Sequence, residues 1–246
     1  MNDSFIMNIY SNSFFHRTAK FSSLTSILEE GFKVHYCCEE IALGKGNVAH
    51  IGIPMVCFCD IPLFYLAKNN YGKLGVAMKR TWGISRHLEP VLYYPNDVTC
   101  QSTKMIIKAE QEFRNNRSNY DGYRILGYSK PVRKVIPQPG RSSDNYIERE
   151  WRRVYANPAP LKWLTEAEYI IQRGTAVDKP SVGLPLVFSV DDIEFIMVDK
   201  ANETNLWSFI MTNLVDVGGR NIPLSQNQRC ALLSKILVYE SINNNI

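Results

Sequence analysis

No stretch of this chain is both long and apolar enough to be expected to cross a membrane as a helix. The longest apolar run, residues 53–67, is interrupted by Pro54, Asp60 and Pro62, whereas a span needs about 20 predominantly apolar residues. Residues 1–10 have neither the basic start nor the small-residue cleavage site of a signal peptide, so a cytoplasmic location is expected. The six cysteines, at 37, 38, 57, 59, 100 and 230, fit no disulfide framework. Cys37 and Cys38 are adjacent, and Cys57-x-Cys59 would share one side of a strand. Neither pair has the two-residue gap of a zinc knuckle, and no His-x₃-His follows. Metal binding is therefore not expected, and cysteine reads here as a small buried hydrophobe of a reducing compartment. Gly44-Lys45-Gly46-Asn47 lacks the spacing and the hydroxyl residue of a phosphate loop, and reads as a plain loop.

What is present is the composition of a globular protein, 45% hydrophobic and 21% charged over 246 residues. That length supports a substantial core in one domain, with or without an appendage. The net charge of +4 is unevenly spread. Residues 1–113 carry 11 basic and 10 acidic groups, residues 114–153 carry 10 and 4, and residues 154–246 carry 7 and 10. The excess is confined to a forty-residue window.

The first organising stretch is Phe14-Phe15-His16-Arg17-Thr18, read as a short strand presenting His16 and Thr18 side by side at its edge. It leads into a helix over about 22–30, with Phe21, Leu24, Ile27 and Leu28 on one face, Ser22 or Ser23 as cap and Gly31 as terminator. His16 and Thr18 suit a fixed donor–acceptor pair for a sugar hydroxyl or carboxamide; a histidine beside aromatic rings is also commonly structural. The run 55–59, bounded by Pro54 and Pro62, predicts a short buried strand ending at Asp60. Asp60 reads as the cap of a helix from Leu63, or as the lining of a pocket.

Further strands are predicted at 74–78, 90–94, 146–155, 167–171, 185–190 and 193–198. Helices are predicted at 100–117 (Met105, Ile106, Ala109 and Phe113 inward), 206–214 and 226–239. Within the basic window, Tyr120, Tyr123, Tyr128, Tyr146 and Trp151 alternate with Arg117, Arg124, Lys130, Arg133, Lys134, Arg141 and Arg149. Cations neutralise phosphates and aromatic faces stack on bases, so this is either a nucleic-acid footprint or a solvated loop. In the following strand Glu148, Glu150 and Arg152 share a face, which fits either general acid–base chemistry or an ion-pair ladder.

Taken in order, these blocks resemble a known family: Phe15-His16-Arg17-Thr18, Leu24, Ile27-Leu28, Gly31-Phe32, then Pro54-Met55-Val56-Cys57-Phe58-Cys59-Asp60-Ile61-Pro62-Leu63, Tyr71-Gly72, Gly75-Val76, Trp82-Gly83, Pro90-Val91-Leu92-Tyr93 and Glu148-Arg149-Glu150-Trp151-Arg152. Over about 14–200 they resemble the abortive-infection, phage-resistance family AbiGi. Members of that family have also been labelled the antitoxin half of a two-gene system. At lower resolution the same order is similar to ADP-ribosyltransferases of the DarT kind, with a His-x-Thr on the first strand and a catalytic Glu on a later one.

That second resemblance implies an α+β fold with a split antiparallel sheet and flanking helices, clamping NAD⁺ as co-substrate without a metal. His16, Arg17, Thr18 and Tyr71 would bind the dinucleotide, and Glu150, with His16, would be catalytic, stabilising an oxocarbenium-like ribose. The basic residues Arg124, Lys130, Arg133, Lys134, Arg141 and Arg152 would hold an RNA or single-stranded DNA acceptor. The expected function is a toxin-like ADP-ribosyltransferase of anti-phage defence with a cognate antitoxin protein. The alternatives are a non-enzymatic antitoxin or binding module, and an NAD glycohydrolase. The expected domain runs over 1–200, including a basic aromatic loop region at 114–145, with 201–246 as a helical C-terminal extension of the same domain.

Overall fold

The computed structural model describes residues 11–66, 72–135, 144–155, 162–173 and 184–243. The chain begins with β1 (Ser13–Thr18), α1 (Phe21–Glu30), β2 (His35–Ala42), β3 (Val48–Cys59), α2 (Leu63–Leu66), β4 (Leu74–Lys79) and α3 (Arg80–Ser85). It continues with β5 (Glu89–Pro90), β6 (Leu92–Tyr94), α4 (Gln101–Asn115), α5 (Tyr120–Tyr123), β7 (Ser129–Pro131), β8 (Glu150–Val154) and β9 (Leu164–Thr165). Last come α6 (Glu166–Arg173), β10 (Ile193–Val198), α7 (Glu203–Ser208), α8 (Gln226–Leu233), β11 (Ile236–Val238) and α9 (Tyr239–Asn243). The α+β class is as expected. Two compact units share the chain: residues 1–31, 58–86 and 187–246 form the first, and residues 32–57 and 87–186 the second.

In the first unit β1 lies inside the sheet and not at its edge. It pairs antiparallel with β4 along its whole length, from Ser13↔Lys79 to Thr18↔Leu74, while Phe15 meets Cys59 on the other side. β10 runs antiparallel to β4, and β11 runs parallel to β10, so the sheet is mixed, where an antiparallel one was expected. Phe15, Ile61, Ala77, Met197 and Tyr239 form a core on it. In α1, Leu24, Ile27 and Leu28 are buried as the spacing predicts. The cap position is Lys20, however, with no side-chain bond from Ser22 or Ser23. Gly31 closes the helix at φ 81°, its N–H returning to Ile27 O.

In the second unit β2 and β3 form a long antiparallel hairpin, His35↔Met55 through Ala42↔Val48, turned by Gly44–Asn47. Pro54 does not end β3 as the sequence reading assumed. It sits within the strand, and its carbonyl accepts from Tyr155 N–H at 2.9 Å. The predicted strand 90–94 divides between β5, paired with β8, and β6, paired with β7. Segment 167–171 belongs to helix α6, not to a strand. On α4, Ile106, Ala109 and Phe113 are buried but Met105 is exposed. Their partners include Tyr94, Tyr123, Leu126 and Trp163, all buried in one cluster. No helix among the described residues is long and apolar enough to cross a membrane.

Candidate functional site: a buried charge cluster around Glu150

Strand β8 buries Glu150, Arg152 and Val154 on one face, so a carboxylate and a guanidinium enter the second unit two residues apart. The strand is entered through Arg149 in the left-handed conformation (φ 43°, ψ 54°), immediately after a 3₁₀ turn over Tyr146–Glu148. Tyr93 fixes the entrance, its Oη accepting from Glu150 N–H at 2.8 Å, while Glu150 O accepts from Val91 N–H.

Arg152, with no exposed surface, donates from Nε to Glu150 Oε1 (2.8 Å) and from Nη2 to Glu150 Oε2 (3.1 Å). Nη2 also donates to Glu39 Oε2 on β2 (2.5 Å), and Nη1 to Gly127 O (3.0 Å). Lys130 on β7 places Nζ 2.7 Å from Glu148 Oε2 and 2.8 Å from Glu150 Oε2. Three carboxylates and two cations are thereby joined across β2, β7, β8 and the 3₁₀ turn. Burial alone would push the Glu150 carboxyl up, but the attraction of Arg152 and Lys130 outweighs it and holds the group well below the usual carboxylate range. Burial works against the charged forms of Lys130 and Arg152 too, and the surrounding carboxylates outweigh it, holding both protonated. The Tyr93 phenol is driven well up, chiefly by burial.

A carboxylate accepting three charge-assisted hydrogen bonds at both oxygens is a weak base, because a proton would have to displace cations already in place. In this arrangement the cluster clamps four segments together. It realises the ion-pair reading of Glu148, Glu150 and Arg152.

Residues 30–199, which contain every member of the cluster, match the model of the family described as "Putative abortive phage resistance protein AbiGi, antitoxin". The chain belongs to the AbiGi family. It is similar to the abortive phage resistance protein AbiGi of Lactococcus lactis subsp. cremoris, 28% identical over 225 residues, covering 77% of this chain and 87% of that one. No solved structure matches the chain.

His16, Arg17 and Thr18 precede the AbiGi match and lie in the first unit, whereas Glu150 lies in the second. His16 is half-buried, its ring edge-on to Phe58 at 5.5 Å, and Arg17 Nη2 donates to Gly72 O. Tyr71 and Arg141 lie outside the described residues.

The basic window is corrected in two respects. Much of its start is helical, and several of its aromatic rings are core: Tyr123 is buried against Phe113 and Trp163, and Tyr120 packs on Tyr123 and Trp163. Arg152 is fully buried against Glu150 and Glu39, and Lys130, 16% exposed, is held between Glu148 and Glu150. Arg124 and Arg133 are exposed, Arg124 beside Asp121 at 3.2 Å, and Lys134 is half-exposed.

Asp60 binds Arg80 Nη1 at 2.9 Å and accepts from Ser11 N–H at 3.2 Å, so its carboxylate ties the segment before β1 to the start of α3. Sequence reasoning missed Glu39 and Tyr93. The signal for Glu39 was its position two residues from both Cys37 and Ile41, which places it on the inward face once β2 is recognised as a strand.

Proposed function

We propose that this chain acts in anti-phage defence as a non-enzymatic binding component, the antitoxin of a two-part abortive-infection system. The observation that carries the reading is the engagement of Glu150. The acid that an NAD⁺-dependent transferase would need is instead held by Arg152 and Lys130 as a strut of the fold. The family description, which reads antitoxin, points the same way.

Two experiments test this. Expression of the chain alone is expected to leave bacterial growth unchanged, and co-expression with the toxin of its system to restore growth that the toxin alone arrests. Purified chain incubated with labelled NAD⁺ and separate RNA, single-stranded DNA and protein pools is expected to transfer no label and release no free ADP-ribose. Label transferred by wild type and lost in Glu150→Gln would replace this reading with the ADP-ribosyltransferase one, in which His16, Arg17, Thr18 and Tyr71 hold the dinucleotide. Free ADP-ribose without a labelled acceptor would replace it with NAD⁺ hydrolysis.

A further inference from the structure

The net charge is divided unequally between the two units. Residues 1–31, 58–86 and 187–246 carry 11 bases and 11 acids, so the +4 belongs wholly to the second unit, with 17 bases and 13 acids. The buried cluster takes three of those acids, Glu39, Glu148 and Glu150, but only two of the bases, Lys130 and Arg152. The rest of the second unit is left with 15 bases and 10 acids. Folding carboxylates inward thus makes the unit's remaining charge more positive than its sequence total, which favours a polyanion as partner.

Bonds around β7 set part of that surplus in a line. Tyr128, just before the strand, bonds the backbone of Val154, and Lys130, within it, reaches Glu148 and Glu150. Beyond it, Val132 O accepts from Asn145 N–H at 2.8 Å and Arg133 bridges Asp144. Residues 128–133 and 144–154 therefore run alongside one another in opposite directions. Five steps at about 3.3 Å set the two ends of the pair roughly 16 Å apart. At the Tyr128 end stand Arg124, 63% exposed, and Arg153, whose guanidinium lies 5.7 Å from the centre of the Tyr155 ring. At the other end stand exposed Arg133, half-exposed Lys134 and Tyr146, which is 53% exposed with its ring edge-on to Tyr93 at 5.2 Å. Acids border this track too: Asp121 is 3.2 Å from Arg124, Glu89 acts on the Tyr128 phenol, Asp144 lies opposite Arg133, and Glu40 accepts from Val135 N–H. A line of cations interrupted by acids neutralises few phosphates, so ring stacking has to supply part of the binding. A duplex hides its base faces, whereas a single strand offers them.

We infer that residues 124–134 and 144–155 form a binding surface for single-stranded nucleic acid, with Arg124, Arg133, Lys134 and Arg153 on phosphates and Tyr146 stacked on a base. Such binding stands whether or not the chain neutralises a toxin. Fluorescence anisotropy of the full chain is the test, with labelled oligo-dT and oligo-U of about 12 nucleotides, a duplex of equal length, and inorganic polyphosphate as competitor. Wild type is expected to bind both single strands at least about 10-fold more tightly than the duplex. Arg133→Ala with Lys134→Ala removes two phosphate contacts, so the plot of log affinity against log salt should become shallower by about 1.4. Tyr146→Ser should weaken binding at least about 5-fold without changing that slope, and Tyr146→Phe, which keeps the ring, should bind like wild type. Lys200→Ala with Arg220→Ala takes an equal charge from the first unit and should leave affinity and slope unchanged. Thermal unfolding checks that each variant is folded. A wild type that binds neither strand, or that binds duplex or polyphosphate as tightly, would overturn the proposal. So would folded Arg133/Lys134 and Tyr146→Ser variants that bind like wild type, or a first-unit variant that loses as much affinity as they do.

Discussion

Arg152 holds two carboxylates at once with no exposed surface, and its replacement isolates the cluster's contribution to stability. Arg152→Met would leave Glu39 and Glu150 buried without their cation, at an expected cost of about 3–5 kcal/mol, read as a lower urea midpoint. Glu150→Gln keeps the shape and should cost less. A loss of stability larger in the first variant than in the second is the pattern of a strut. A second prediction concerns pH. Glu150 is held below its ordinary range by Arg152 and Lys130 despite burial. Glu168 is held at about 2, first by the hydrogen bond from Arg117 and then by the N–H and hydroxyl of Thr165. Both folded-state values lie below the unfolded value of about 4.3. Between them the unfolded chain binds more protons, so their stabilisation is complete above about pH 5 and is lost as the pH falls towards the folded values. The melting temperature should therefore drop steadily from about pH 5 to about pH 3, and Glu168→Gln should flatten part of that slope. At this scale the sequence located Glu150 and Arg152 on a common face, because alternation in a strand is local. Glu148, expected on the same strand, lies in the 3₁₀ turn before it and joins the cluster through Lys130. The sequence could not supply Glu39 or Lys130, which arrive from distant β2 and β7.

The pairing of β1 with β4 depends on the absence of a side chain at Gly75. A Cβ there would stand 2.4 Å from His16 O and 2.7 Å from Phe15 Cζ. The nearest of these atoms is backbone, which cannot step aside without breaking the ladder that runs from Ser13 to Thr18. Gly75→Ala is expected to destabilise by about 1–3 kcal/mol through overpacking, with loss of amide protection in both strands. Gly46→Ala, where nothing lies within 4 Å, should lose only the smaller cost of its positive φ. Elements whose period is carried by many residues were legible: β1, α1, β4, α4 and β10 all fall where the pattern puts them. Shorter ones were not. Helix α6 buries only Tyr169, too little for a 3.6-residue period to outweigh a run of five residues that also fits a strand. The expected helix 226–239 is α8, started by the Ser225–Gln228 capping box, but it gives way to β11 at Ile236 because that segment pairs with β10. A parallel partner forty residues away leaves no local signature. Pro54 was read as a strand end, yet proline is excluded from a strand only where its missing N–H is needed in the ladder.

At the scale of the molecule, sequence alone reads residues 201–246 as a helical C-terminal extension of the same domain, and the described part of that stretch adds a strand as well as helices to the compact unit that holds β1 and β4. It supplies β11, paired in register Ile196↔Ile236 to Val198↔Val238, and Ile196 N–H donates to Lys235 O at 2.8 Å. It also supplies Tyr239, which packs with Phe15, Ala77 and Met197. Removing it would leave β10 with a bare edge along Ile196, Met197 and Val198, none of which has exposed surface in the intact chain. Long apolar edges recruit other strands, so the expected consequence is self-association through β10 and not a smaller stable protein. A chain ending at residue 200 should accumulate in the insoluble fraction, and any soluble portion should show rapid hydrogen exchange across β10 and β4. A soluble, monomeric and protected product ending at residue 200 would mean instead that β11 and Tyr239 are dispensable to the sheet.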